Sequence, residues 1–159
     1  DVIILRAGGA GRAAAAQALR SACLSLTIVN RNPERLANLI EAINPIAQER
    51  KIPLLGKAPN DPSLEIPQGS LLVNATSLGL KPDDPLPIPA NALPESLALY
   101  DMIYNPPCTK LMQKIQSLDG QTANGLSMLV YQGVRALEIW TDQTINPATM
   151  DRAARSAIA

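Results

Sequence analysis

A glycine-bearing turn between an apolar run and an alanine-rich run is the feature that most restricts the fold of this chain. The apolar run, residues 1–5 (DVIIL), is rich in β-branched side chains and predicts a buried strand. Residues 6–11 (RAGGAG) form the turn, and residues 12–20 (RAAAAQALR) have strong helix propensity. A second apolar run, residues 24–29, predicts the next strand. Strand, glycine turn, helix and strand in this order are typical of the opening of a dinucleotide-binding α/β domain.

The turn matches a diphosphate-binding motif only in part. Gly8 and Gly11 occupy the second and third glycine positions of the pattern G-x-G-x-x-G, and Arg6 occupies the first. Glycines allow the backbone to approach a diphosphate, which binds well at a helix N terminus because unpaired N–H groups and the helix dipole favour negative charge there. Taken alone, the incomplete motif fits an ordinary strand-to-helix turn equally well.

The residues after the second strand indicate which nucleotide would bind. In NAD-binding domains an Asp or Glu about 20 residues beyond the turn accepts a hydrogen bond from the ribose 2′-OH. Here Asn30 stands at this position, flanked by Arg31 and Arg35. Guanidinium groups bind phosphate through charge-assisted hydrogen bonds, whereas a carboxylate would repel it. The sequence therefore favours NADP over NAD, the alternative being that both arginines are ordinary solvated residues.

Composition excludes several classes of function. The 159 residues fit one domain, and 14 basic and 14 acidic residues give no net charge, which argues against nucleic acid or an anionic membrane surface as partner. Histidine is absent, so this chain has no imidazole base or imidazole metal ligand, and no metal site is predicted. Cys23 and Cys108 lack metal-ligand spacing and fit a reducing cytoplasm. With no run of 18 apolar residues, we expect a soluble protein, and the missing start methionine suggests a fragment of a longer chain.

Strands and helices alternate along the rest of the sequence. Further strands are predicted at residues 51–55, 71–75, 97–102 and 121–124. Further helices are predicted at residues 36–43, 109–117, 125–140 and after Pro147. Pro53 marks an edge strand, Pro45 is expected to end its helix, and residues 81–94, with five prolines, are expected to run extended over the surface. The pattern predicts an α/β, Rossmann-like, doubly wound fold with a mainly parallel six-stranded sheet and helices on both faces.

Five segments in a fixed order carry a resemblance to a known family. They are residues 8–13 (GGAGRA), 29–35 (VNRNPER), 74–79 (NATSLG), 100–106 (YDMIYNP) and 124–133 (NGLSMLVYQG). Together they resemble the C-terminal, NADP-binding domain of shikimate dehydrogenase over nearly the whole chain. The resemblance implies a domain spanning residues 1–159 of an enzyme that reduces 3-dehydroshikimate to shikimate with NADPH, on the route to chorismate and the aromatic amino acids.

The resemblance also implies the roles of individual residues. The active site of the family lies in a cleft between two domains, and its catalytic Lys and Asp belong to an N-terminal domain outside this sequence, so no catalytic residue is assigned here. The cofactor-binding residues it implies are Gly8, Gly9, Ala10, Gly11, Asn30, Arg31, Asn32, Arg35, Thr76, Ser77, Met102 and Gly125. Tyr104 and Gln132 would reach shikimate or 3-dehydroshikimate. Assembly as a homodimer stays open.

Three residues depart from the family pattern because glycine is expected where Arg6, Cys23 and Asp142 stand. If Arg6 needs a positive φ, its side chain costs on the order of 1 kcal/mol or more. Its guanidinium would either contact a phosphate or crowd the site. The sequence favours crowding, so that Arg6→Gly would tighten NADP binding. Asp101, at a strand end, is expected to cap or pair locally rather than act as a base.

Three other functions stay open at this point. A methyltransferase also uses a glycine turn after its first strand, but it places an acid at the end of the second strand, where Asn30 and Arg31 stand. A non-catalytic module with a decayed nucleotide site would explain Arg6. A dual quinate/shikimate dehydrogenase would differ mainly in the domain that this sequence lacks.

Overall fold

A computed structural model describes the chain from residue 1 to residue 158. Over these residues it has six strands: β1 (Val2–Leu5), β2 (Leu26–Val29), β3 (Leu54–Lys57), β4 (Leu71–Asn74), β5 (Ala98–Asp101) and β6 (Gln121–Asn124). Its α-helices are α1 (Gly9–Arg20), α2 (Pro33–Glu49), α3 (Lys110–Gln116), α4 (Leu126–Thr141) and α5 (Pro147–Ile158). None of these helices has both the length and the hydropathy needed to cross a membrane.

The six strands form one parallel sheet in the order β3-β2-β1-β4-β5-β6. The central strand β1 ends level with both neighbours, because Leu5 pairs with Val29 of β2 and with Asn74 of β4. The strand order reverses at β1, so the crevice beyond its carboxyl end is the topological switch point where α/β sheets bind ligands. The predicted doubly wound fold and edge position of β3 are confirmed, and every strand pair is parallel.

The sheet separates two hydrophobic layers, as expected when helices cover both faces. Ile4 and Ile28 pack with buried residues of α1 and α2 on one side. Ile3 and Leu5 pack with Leu72 and Leu99 on the other side, where α3 also lies. Because successive strand residues point to opposite faces, both faces of β1 are apolar, and the strand is a continuous hydrophobic run.

The prediction that Pro45 ends the second helix is wrong. Helix α2 continues to Glu49 with Pro45 inside it. A proline inside a helix costs about 3 kcal/mol because it removes one hydrogen bond and crowds the preceding turn. The apolar face nevertheless continues past it, with Leu39, Ile43 and Ala47 all buried. Packing of this face against the sheet outweighs the local preference to stop.

Residues 81–94 also differ from their prediction. They were expected to run extended over the surface, but Ile88 and Leu93 are buried in the layer that contains α3, and residues 90–92 form a single 3₁₀ turn. The prolines prevent a longer helix while leaving these two apolar side chains free to enter the core. The segment therefore covers one face of the sheet where a regular helix is missing.

Two of the three positions at which glycine was expected have a positive φ, and the third follows a residue that does. Arg6 has φ +91°, and Asp142, the residue directly after α4, has φ +52°. At the third position the positive φ falls on Ala22, with φ +54°, rather than on Cys23. These turns keep the geometry that glycine usually provides, at a conformational cost of order 1 kcal/mol or more for each side chain.

Candidate nucleotide-binding site

A cavity of about 550 Å³ opens at the carboxyl ends of β1, β2 and β4. The predicted cofactor-binding residues that line it are Gly8, Asn30, Arg31, Asn32, Arg35, Thr76 and Ser77. They come from three separate loops, which the parallel sheet brings to one edge because the strands end at the same level. Three of the segments that carry the family resemblance, which lie far apart in the sequence, therefore form one concave surface.

The N terminus of α1 contributes to this cavity through Gly8. Gly8 is the residue before the helix; it has no side chain that could cap the helix, and the first turn contains no acidic residue. Gly11, in the first turn, packs so closely that a Cβ there would overlap the carbonyl oxygen of Arg6. The glycine at this position holds α1 tightly against the end of β1, and the exposed N–H groups of an uncapped helix favour an anion.

Asn30 and Asn32 use their side chains to build the loop after β2. The amide oxygen of Asn30 accepts from the backbone N–H of Ala7 at 3.1 Å, and its Nδ2 donates to the carbonyl oxygen of Asn32 at 2.8 Å. The amide oxygen of Asn32 accepts from the N–H of Arg35 at 2.8 Å and so caps α2. These two residues tie the loop to the glycine turn and to α2, and so hold Arg31 and Arg35 beside the cavity.

The cavity is cationic. Arg6, Arg31 and Arg35 line it, and among the residues of the described chain that line it none is acidic. Since a guanidinium offers several N–H donors in a plane, such a set suits phosphate oxygens in particular. The local excess of positive charge contrasts with the zero net charge of the whole sequence.

A second cavity of about 390 Å³ adjoins the first, because Thr76 and Ser77 line both. Ala10, Met102 and Tyr104 also line the second cavity, and Met128 closes it from α4. Its lining is more apolar, with two methionines and a tyrosine around it. The two adjoining cavities therefore combine a cationic end, lined by arginines, with a more apolar end, an arrangement that suits a dinucleotide.

A buried hydrogen-bond network holds the loops of the second cavity in place. Asp101 is fully buried at the end of β5; its Oδ1 accepts from Nδ2 of Asn74 at 3.0 Å and from the N–H of Ile103 at 3.1 Å. Its Oδ2 accepts from the hydroxyl of Thr109 at 2.7 Å. The amide oxygen of Asn74 in turn accepts from the hydroxyl of Thr76 at 2.7 Å. Asp101 therefore joins the ends of β4 and β5 locally, as expected, and is not placed to act as a base.

Burial raises the pKa of the Asp101 carboxyl above its ordinary value, although the hydrogen bonds to Thr109, Ile103 and Asn74 act in the opposite direction. The folded protein then binds more protons than the unfolded chain between the two pKa values. The contribution of Asp101 to stability is thus fully present below the ordinary Asp pKa of about 3.9, and it is lost as the pH rises through the raised folded-state value.

We expect Asp101→Asn to remove this part of the pH dependence, because an amide does not ionise. The amide oxygen can still accept from Asn74 and Ile103, whereas the amide nitrogen can only donate to the Thr109 hydroxyl that now donates to the carboxylate. Urea unfolding at a series of values from roughly pH 3 to pH 7 measures the effect. Asp83→Asn, at an exposed aspartate outside the network, is the matched control and should unfold with the pH profile of the unchanged chain. An Asp101→Asn profile with the same slope as the unchanged chain would contradict the expectation.

Comparisons with known proteins agree with the geometry. A family model described as the Shikimate 5'-dehydrogenase C-terminal domain matches residues 125–155. A shikimate dehydrogenase (NADP(+)) of Thermus thermophilus is 37% identical over 98% of this chain and 54% of its own length. Over almost its whole length the chain is therefore similar to part of a shikimate dehydrogenase. It spans about half the length of the curated relatives it matches.

Solved structures place this shikimate dehydrogenase-type domain among proteins of the same fold. A shikimate 5-dehydrogenase of Thermus thermophilus, in complex with NADP(H) and shikimate, is 34% identical and has a TM-score of 0.72 over 98% of this chain and 54% of its own. The ligand-free 5-ketofructose reductase of a Gluconobacter species is 32% identical, with a TM-score of 0.80 over 98% of this chain and 56% of its own. Enzymes that are named after different substrates therefore share this fold.

Four of the residues implied by the shikimate dehydrogenase resemblance line neither cavity. They are Gly9, Gly11, Gly125 and Gln132. Gly125 is buried, its N–H donates to the carbonyl of Ile103 at 3.1 Å, and a Cβ on it would overlap the carbonyl oxygen of Met102. It therefore allows two backbone segments to approach rather than facing open space. Gln132 is exposed on α4, one turn beyond Met128.

Sequence reasoning missed several residues of the site in this shikimate dehydrogenase-type domain. The additional lining residues include Pro59, Leu78, Leu80, Pro87, Asn105 and Met128. Pro59 and Pro87 lie in irregular segments whose course over the sheet carries no periodic signal. Met128 belongs to a segment that the family resemblance already included, and its position one turn before Gln132 could have revealed it.

Proposed function

We propose that this chain is the NADP-binding domain, spanning residues 1–159, of a shikimate dehydrogenase. The observation that carries the proposal is that Arg31, Arg35 and the N terminus of α1 line one cavity, to which residues 1–158 contribute no carboxylate. Such a cavity suits a nucleotide that bears both a diphosphate and a ribose 2′-phosphate. The relatives named as NADP-dependent shikimate dehydrogenases support the same conclusion.

Each part of the site has a distinct task in this proposal. Gly8, at the N terminus of α1, receives the diphosphate, and Arg31 and Arg35 bind the 2′-phosphate. Met102 shapes the apolar cavity around the nicotinamide, while Tyr104 and Gln132 reach the substrate through hydrogen bonds. NADPH, when bound, supplies the hydride. Thr76 and Ser77 line both cavities and so position the cofactor between its two ends.

Because the chain spans about half the length of the curated relatives, we propose that the rest of the activity depends on the other half of such an enzyme. We assign 3-dehydroshikimate and shikimate as substrates, and chorismate and aromatic amino acid biosynthesis as the pathway, for the full-length enzyme. The cleft between this domain and the second one would hold the ring, with proton transfer from the other side. A cytoplasmic location is part of the proposal, and the two free cysteines, Cys23 and Cys108, are consistent with it.

Calorimetric titration with NADP, NAD and S-adenosylmethionine tests the nucleotide assignment. We expect NADP to bind most tightly, NAD more weakly, and S-adenosylmethionine not at all. At a concentration of 100 times its dissociation constant, NADP should stabilise the fold by about 2.7 kcal/mol, which a thermal melt would register as a higher Tm. Equal affinity for NAD and NADP would contradict the assignment of the arginines.

A second candidate concerns the substrate alone. The likeness to a 5-ketofructose reductase, at 32% identity and a TM-score of 0.80, favours testing a ketose beside 3-dehydroshikimate. The decisive assay uses the full-length enzyme with NADPH and each carbonyl compound in turn, followed by absorbance of NADPH. Oxidation of NADPH with 3-dehydroshikimate supports the main proposal, and oxidation with the ketose alone would replace it.

A further inference from the structure

Arg6 stands in a backbone conformation that suits glycine better than any other residue. Its φ is +91°, its N–H donates to the carbonyl of Val29 at 2.7 Å, and its own carbonyl lies against Gly11. The backbone is thus fixed by neighbours on both sides, and glycine would adopt it without a steric penalty. The backbone conformation at this position does not favour arginine over glycine. A role for Arg6 must therefore come from its side chain.

The Arg6 side chain lies along the residue that begins α1. Its Nε, Cδ and Cγ atoms are 3.3, 3.7 and 3.8 Å from the position that a Cβ on Gly8 would take. With the side chain in this place the cavity still measures about 550 Å³, and Arg6 is one of its walls. Arg6 therefore lines the cavity without filling it, which leaves room for a ligand beside its guanidinium.

The charge of Arg6 is unbalanced where it stands. The guanidinium lies beside the positive end of the α1 dipole and lines the same cavity as Arg31 and Arg35. The ion pairs formed within residues 1–158 involve Lys57, Arg135 and Arg155, and none includes Arg6. A strained residue that adds charge to an already cationic surface indicates an anion as its partner.

We propose that Arg6 binds the diphosphate of the nucleotide and is a third phosphate-binding guanidinium of this site. The inference rests on the proposed function, since it takes the ligand to be a dinucleotide. The diphosphate is its partner because Arg6 lies over Gly8 at the start of α1, whereas Arg31 and Arg35 belong to the β2–α2 loop and the first turn of α2. Arg6 therefore raises the affinity for NAD and NADP by the same factor and does not distinguish between them.

The test compares Arg6→Gly and Arg6→Gln with the unchanged chain. The two variants separate charge from backbone strain, because both remove the guanidinium but only glycine relieves the positive φ. Three probes are titrated by calorimetry: NADP, ADP-ribose, which keeps the diphosphate without the 2′-phosphate, and 2′-AMP, which has only the 2′-phosphate. Arg20→Gln, at the exposed far end of α1, is the control of equal charge change.

We expect both Arg6 variants to bind NADP and ADP-ribose about tenfold more weakly, and 2′-AMP within about twofold of the unchanged chain. Arg20→Gln should bind all three probes as the unchanged chain does. Tighter or unchanged NADP binding by Arg6→Gly would overturn the inference in favour of crowding or of no role. An equal loss for 2′-AMP would overturn the diphosphate assignment. If the unchanged chain bound neither NADP nor ADP-ribose, the proposed function itself would fail, which is a different result from binding that Arg6 does not affect.

Discussion

Gly11→Ala is expected to lower the free energy of unfolding by about 3 kcal/mol or more, the range of strong overpacking. A Cβ at this position would overlap the carbonyl oxygen of Arg6 and come within 3.1 Å of its carbonyl carbon. Both atoms belong to a backbone held by the sheet, so no side chain can rotate away. Relief requires α1 to move from the end of β1. Urea unfolding in the absence of nucleotide measures the loss.

Gly9→Ala is the matched control for this prediction. It makes the same chemical change two residues earlier in the same helix, where a Cβ would meet no heavy atom within 4 Å. Alanine also has the higher helix propensity, so the variant should be unchanged or up to about 1 kcal/mol more stable. Similar losses in both variants would show that glycine is needed in the turn for reasons other than the contact with Arg6.

The double variant Arg31→Ala with Arg35→Ala is expected to bind NADP about 100-fold more weakly while changing the affinity for NAD by about threefold or less. Both guanidinium groups line the cavity next to the residue position that distinguishes the two cofactors. Removing them takes away charge-assisted hydrogen bonds that only the 2′-phosphate can use. Titration of each nucleotide by calorimetry gives the two affinities.

Arg20→Ala with Arg152→Ala removes the same charge from exposed positions outside both cavities. This control should retain its affinity for NADP, apart from a small general effect of net charge that salt screens. If NADP and NAD lost affinity equally in the Arg31 and Arg35 variant, the two residues would serve the diphosphate or the fold. That result would remove the basis for the preference for NADP.

Much of the fold could be predicted because the strands of a parallel sheet are short, apolar and separated by helices. The run of residues 1–5 and the alanine-rich helix after it followed directly from period and propensity. The effect of Pro45 was predicted wrongly because local propensity carries no information about Ala47, whose burial favours continuing the helix. Ile88 and Leu93 were missed for a related reason, since no periodicity marks an irregular segment that enters the core.

The sequence predicted which segments form the candidate site. It did not predict which of their side chains face the cavity and which hold the loops in place. The sequence placed Asn30 and Asn32 together with the arginines in one phosphate motif. In the structure their side-chain oxygens accept from the N–H groups of Ala7 and Arg35, a supporting contact that the sequence did not predict. Which polar side chain faces a ligand and which supports the loop depends on backbone directions that a residue pattern does not contain. The direction of the Arg6 side chain could not be known for the same reason.

The neighbouring positions of β1 and β4 have a consequence for how this domain responds to its ligand. The two strands are adjacent in the sheet, yet residues 6–70 separate them along the chain. Thr76 and Ser77 follow β4, so they line the cavity only once β4 has paired with β1. Asn30 follows β2 and lies much earlier in the chain. We therefore expect a nucleotide to bind only to the completed sheet, and its binding to slow the exchange of amide hydrogens around Asn30 and around Thr76 together.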